Sequence, residues 1–141
     1  MKVVGVKINE TGKVLYYDSN NLNLKINLTV IVLDERGLQF AKVVDFMDVP
    51  DNSDYEKIVR IATKKDYLQH LKNIEDARVA LEKCRSIVMK NNLNMNIIDA
   101  TYNFDKSQLL FRFLSDERVD FRNLAKELGA KSYPVTAIGD D

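Results

Sequence analysis

The chain has 141 residues, 45% of them hydrophobic and 30% charged, and its 21 basic side chains are balanced by 21 acidic ones. That length supports one compact core, or two small lobes, burying very roughly two-thirds of the unfolded surface, and the cancelled charge excludes a strongly cationic field that would hold the protein on nucleic acid regardless of sequence. No apolar run approaches the roughly 20 residues of a membrane span and the opening MKVVGVKINE is too polar for a signal peptide, so a cytoplasmic protein without membrane insertion is expected.

Residues 1–49 read as an N-terminal β lobe. VVGVKI alternates, TGK at 11–13 is a turn, VLYYD follows, and NLNLKINLTVIVL carries apolar residues at every even position from Leu22 to Val32. Arg36-Gly37 then turns the chain into LQFAKVVDF. Several short strands with tight turns predict a small, strongly bent sheet or barrel, open to both a packing role and a binding role at its rim. The stretch 50–64 is an acidic crossing and a strand. DFMDVPDNSDYE contains Pro50, Asn52 and Ser53 and reads as a linker. Its aspartates 45, 48, 51 and 54 recur every third residue, whereas a calcium loop needs oxygen ligands at alternate positions, a glycine at the bend and a closing glutamate.

Residues 65–141 read as an α+β lobe. After KIVRIAT, Thr63 and Asp66 are spaced as a capping box. Tyr67, Leu71, Ile74, Ala77, Leu81, Cys84 and Val88 then step by three or four through roughly 26 residues, predicting a helix of about 39 Å with that set as its buried stripe. Ile98, Ala100, Tyr102 and Phe104 alternate along one strand, Leu109, Phe111 and Phe113 along the next, and DKSQ at 105–108 connects them as a hairpin. Asp120 is placed to cap a short helix with Phe121, Leu124, Ala125 and Leu128 on one side, Gly129 ends it, and Val135 to Ile138 supply a last short strand entered through Pro134. The predicted fold class is therefore α+β: a small bent β-sheet or barrel-like lobe, a long helix, an antiparallel hairpin sheet and a short helix.

No catalytic, cofactor-binding or metal-ligating residue is assigned. The one cysteine, Cys84, excludes an internal disulfide and lies on the helix stripe, which suits a small buried hydrophobe. The one histidine, His70, lies beside that stripe and reads as solvated or half-packed. Five glycines at 5, 12, 37, 129 and 139 are too scattered to cradle a phosphate. Asn27-Leu28-Thr29 matches a glycosylation acceptor pattern but lacks a secretory signal. Arg112, Arg118, Arg122 and Lys126 form the candidate interaction surface, although Asp116, Glu117, Asp120 and Glu127 are interspersed with them. Tyr16 and Tyr17 beside Lys13 are a weaker second possibility for contacting RNA.

VVGVKI, GKVLYYD, VIVLDERGLQFAKVV, VRIATKKD, the long helix, NMNIIDATYNFDKSQLLFRF and RVDFRNLAKEL follow one another in an order that resembles the bacterial YaaT/RicT family, which shares a domain with the C-terminal region of a yeast polymerase-suppressor protein. The combination of RIAT, YNFD, LLF and RVDFR carries the resemblance, which runs from about residue 3 to 128. It implies a non-enzymatic adaptor. Such proteins act with two small partners, RicA and RicF, in a complex that carries iron–sulfur clusters, promotes the ribonuclease RNase Y in mRNA processing and influences sporulation, competence and biofilm development. The tail from Gly129 to Asp141 departs from the family pattern and holds no cysteine, so the cysteine-rich C-terminal segment is expected to be missing, no cluster ligand carries over, and no cofactor is expected in this chain. Ala41 stands where the family often has a glycine, and KINLT replaces a glycine-containing turn. The alternative is an RNA-binding module using the β lobe or the basic residues near the last helix.

Overall fold

The structure is a computed structural model that describes residues 1–9, 12–93, 95–115 and 135–140. Its contacts divide the chain into two compact units, Met1–Leu68 and Gln69–Asp141. Among the described residues the elements are β1 (Lys2–Lys7), β2 (Leu15–Asp18), β3 (Thr29–Asp34), β4 (Gly37–Asp48), β5 (Arg60–Ile61), α1 (Lys64–Lys90), β6 (Met95–Tyr102), β7 (Leu109–Ser115) and β8 (Val135–Asp140). The α+β class is as predicted, and the expected short helix at 120–128 lies outside the described residues.

In the first unit the strands pair in the order β2-β1-β4-β3-β5. Asp18 also forms a parallel bridge with Lys57: its N–H donates to the Glu56 carbonyl at 2.8 Å and its carbonyl accepts from the Ile58 N–H at 3.0 Å. Because the same segment continues into β5, which pairs with β3, both edges of the sheet meet through residues 56–61 and the sheet closes as a small barrel. Closure removes the unpaired edge groups that an open sheet leaves available to other chains. Inside lie Val4, Val6, Tyr17, Val30, Val32, Ala41, Val43 and Ile58, and the one polar tip among them, the Tyr17 hydroxyl, donates to the Leu33 carbonyl at 3.0 Å.

Two features bend the wall. The register between β1 and β4 shifts between Gly5 and Val6, a bulge of the kind that increases local twist. At Gly5 a side chain has no room, since an added Cβ would lie 2.7 Å from Val14 Cγ1, 3.0 Å from Tyr16 Cε1 and 3.1 Å from Asp45 Cβ. The alternation from Leu22 to Val32 reads as β structure throughout, but only its second half is β3. Leu22 and Leu24 still pack against the barrel core while the backbone turns, with Asn20, Asn21 and Asn27 at φ of 58°, 56° and 74°. Asparagine tolerates that left-handed region, so burial follows the alternating pattern without a strand ladder.

In the second unit β6 and β7 form the expected antiparallel hairpin, and β8 begins at Val135 as expected and pairs in parallel with β7, Leu109 opposite Val135 through Leu114 opposite Asp140. Cys84, Ile87 and Val88 of α1 pack on Ile97, Leu109, Phe111 and Phe113. The helix therefore buries the odd-numbered face of β7, as the alternation predicts. On β6 the alternation slips: the register shifts between Ile97 and Asp99, so Ile97 rather than Ile98 faces the core and Ile98 is exposed. The helix stripe is also corrected in its first half. Ala77, Cys84 and Val88 are buried as expected, but Tyr67, Leu71 and Ile74 are exposed, and Asn73 is buried in their place.

Candidate functional site

The N-terminus of α1 is built by the predicted capping box. Thr63 N–H donates to Asp66 Oδ2 at 2.8 Å and Asp66 N–H donates to Thr63 Oγ1 at 3.2 Å, satisfying two donors that the first turn leaves open. Arg60 adds a bidentate pair with the same carboxylate, Nη2 to Oδ1 at 3.0 Å and Nη1 to Oδ2. The Arg60 hydrogen bond, with those from Thr63, holds the Asp66 carboxyl well below the usual carboxylate range against the opposing effect of burial.

Two turns further along, the buried Asn73 does what the sequence pattern could not reveal. Its Nδ2 donates to the Phe104 carbonyl at 2.9 Å, and its Oδ1 accepts from Gln69 Nε2 at 2.7 Å. Phe104 opens the hairpin turn, which is further held by Asn103: Nδ2 donates to Ser107 Oγ at 2.6 Å and Oδ1 accepts from the Gln108 N–H at 2.9 Å. Lys106, at φ 59°, bonds Asp76 and lies 5.3 Å from the centre of the Tyr102 ring. The Asp76 carboxyl is lowered first by that Lys106 hydrogen bond. Arg85 donates to the Ile97 carbonyl, Nη2 at 2.9 Å and Nε at 3.1 Å, at the β6 irregularity. Thus α1 grips the hairpin at both ends through side chains, and the signal available in the sequence was an i, i+4 pair of amides, Gln69 and Asn73, beside an apolar stripe.

Of the candidate interaction residues, the structure describes Arg112. It points away from the helix-covered face and makes two bonds through Nε to Asp99, each at 3.0 Å, with a third from Nη2. Arg118, Arg122 and Lys126 lie outside the described residues. Other cations on this unit are similarly engaged, Arg78 by Glu75 at 2.6 Å and Glu82 at 2.9 Å. In the barrel Tyr16 donates to Asp45 Oδ2 at 3.1 Å, while Tyr17 points into the core, so the two tyrosines do not share a surface.

Cys84 is fully buried, and desolvation pushes its thiol up to about 11. A cluster ligand must be a thiolate. The environment therefore does not fit an iron–sulfur ligand. His70 is half-buried, and burial lowers its pKa. Among the described residues no three His, Cys, Asp or Glu side chains gather to hold a metal ion, and no helix is long and apolar enough to cross a membrane.

What stands out is a second apolar face of α1, formed by Tyr67, Leu68, Leu71 and Ile74, all between 43% and 55% exposed. Tyr67 is steadied by Phe40, ring centres 6.4 Å apart.

Residues 56–133 match the family described as the PSP1 C-terminal conserved region. The chain is 33% identical over 132 residues to the stage 0 sporulation protein YaaT of Bacillus subtilis (strain 168), covering 91% of this chain and 48% of that protein. It is 30% identical over 73 residues to an uncharacterized protein of Schizosaccharomyces pombe, 52% of this chain and 10% of the other. The chain thus spans about half the length of its bacterial relative, and no solved structure matches it. The resemblance carried by RIAT, YNFD, LLF and RVDFR is borne out, and the chain belongs to the YaaT-like family that contains the PSP1 C-terminal conserved region.

Proposed function

We propose that this chain is a non-enzymatic regulatory adaptor that works through protein contacts. In this reading it acts in the cytoplasm as a RicT-like component beside RicA- and RicF-like subunits and an RNase Y-like ribonuclease, in mRNA processing and in developmental control that includes sporulation and biofilm formation. The observation that carries the reading is the similarity to a sporulation protein over 91% of the chain. The chemistry of the described residues supports it. Cys84 is packed and its thiol stays protonated near neutral pH, which suits a core position better than nucleophilic attack or cluster binding. Arg112, Arg78 and Lys106 are engaged by carboxylates of their own chain, which favours contacts with protein over binding to a phosphate backbone.

The test is an affinity capture of the 141-residue chain from lysate of its own organism, with and without ribonuclease. Ribonuclease-resistant partners that include a ribonuclease are the expected result. Partners lost on ribonuclease treatment would replace the adaptor reading with RNA binding, for which log affinity falls linearly with log salt, and the absence of any specific partner would remove both.

A further inference from the structure

We propose that Tyr67, Leu68, Leu71 and Ile74, with Lys64, Lys65 and Lys72 beside them, form a docking surface for an acidic amphipathic helix of a protein partner. The inference rests on the protein-contact reading and adds to it a place and a chemistry.

At about 100° per residue, Tyr67, Leu71 and Ile74 fall within one narrow sector of α1, and the buried seam of Asn73, Ala77 and Cys84 lies about a quarter-turn away. The stripe is therefore not the edge of the core. An i, i+4, i+7 ridge of large apolar side chains fits the groove of another helix. Tyr67 is held by Phe40 and the stripe sits on a helix, so little ordering is needed on binding. Charge selects the partner. Lys64 and Lys65 are exposed, and Lys72 is two-thirds exposed, with its nitrogen 3.7 Å from an Asp76 oxygen already bonded by Lys106. The acid of the first turn, Asp66, is buried and neutralised by Arg60. Beyond the stripe Glu75 is taken by Arg78. The first two turns thus present positive charge, reinforced by the positive end of the helix dipole. A second copy would present the same lysines, and the acids nearest them on its helix, Asp66, Glu75 and Asp76, are already bonded by Arg60, Arg78 and Lys106, so it offers them no complementary charge. Three of the four apolar side chains are aliphatic and offer no ring on which a base could stack, which disfavours RNA.

The test places a photo-crosslinking residue at Leu71 or at Met89, the latter exposed and about 27 Å further along the helix. The full chain is irradiated in lysate of its own organism and the joined peptide is sequenced by mass spectrometry. The Leu71 probe is expected to join a protein segment rich in Asp and Glu with apolar residues at helical spacing, several-fold above the Met89 probe. The yield should fall about tenfold when Lys64, Lys65 and Lys72 are replaced by Glu. Glutamate is a good helix former and is favourable in the first turn that holds Lys64 and Lys65, so unchanged circular dichroism separates loss of docking from loss of fold. A basic or non-helical segment, a second copy of this chain, RNA, or a yield indifferent to the charge reversal would each overturn the proposal. If ribonuclease-resistant partners are captured but none is joined through Leu71, the surface is wrong while the adaptor reading stands; if no protein partner is captured, both fall.

Discussion

In the barrel core, Val4, Val6, Val30, Val32 and Val43 are all fully buried, whereas the helix–sheet unit buries Asn73 and Asn103 as well as Phe111, Phe113 and Cys84. The difference follows from topology. A closed ladder satisfies its backbone groups by strand pairing, so its inside can be filled with stiff β-branched side chains that lose little rotamer freedom. A hairpin laid against a helix has a turn whose carbonyls no ladder reaches, and side-chain amides from the helix must bond them. The barrel is therefore sensitive to volume and the second unit to hydrogen bonding.

The largest effect is expected where volume and closure coincide. Ile58 is fully buried and its N–H belongs to the bridge that closes the barrel. Ile58→Ala should cost about 2–5 kcal/mol, read as a lower urea midpoint with faster amide exchange in β2 and β3. A midpoint within error of the parent would mean that the closing segment is not part of the cooperative core. Gly5→Ala probes the opposite error, too much volume: the added methyl group meets Val14, Tyr16 and Asp45, and a loss of about 1–3 kcal/mol is expected. In the second unit the sensitivity should lie with polarity. Asn73→Ala leaves the Phe104 carbonyl without its amide partner and should cost about 1–2 kcal/mol. Asn73→Leu, which restores volume but not the donor, should rescue little; full rescue would show that Asn73 is held for packing.

The same contrast explains what was legible beforehand. Alternation along Leu109, Phe111 and Phe113 gave the buried face of β7 because a period of two leaves no other choice, and the Thr63/Asp66 box marked the start of α1 because its partners are three residues apart. Readings failed where a side chain answers to something distant in sequence. The stripe through Tyr67, Leu71 and Ile74 follows helical spacing, yet Asn73 takes the inward position because a turn 31 residues away needs a donor. Nor could the sequence show the partner of Arg112, a candidate interaction residue, because Asp99, 13 residues earlier on the neighbouring strand, is brought opposite it only by the β6 register shift. Likewise, the parallel pairing of β8 with β7 leaves no local mark, since a strand pattern does not encode direction.

The smallest effect separates the units by acid. Asp66, in the first unit, and Asp76, in the second, both have carboxyls lowered from the ordinary value, first by hydrogen bonds from Arg60 and Lys106 respectively. A carboxylate whose pKa is depressed by folding binds protons more readily in the unfolded chain. Its contribution is fully present above the unfolded value near about 4 and is lost as pH falls through the lower folded value. Stability should thus hold from neutral pH down to about 5 and decline below about 4. Asp66→Asn should lower the urea midpoint near neutral pH and flatten the acid decline, with amide exchange of Thr63 and Asp66 as the local readout, because those N–H groups form the capping box. Asp76→Asn should flatten it with faster exchange at Lys106, whose N–H closes the turn on the Asn103 carbonyl. Glu75 and Glu82, exposed partners of Arg78, serve as the control, since exposed pairs contribute little and are screened by salt. If Asp66→Asn declines in acid as steeply as the parent, the Arg60 pair is not what anchors the start of the helix, and the backbone cap from Thr63 alone must hold it.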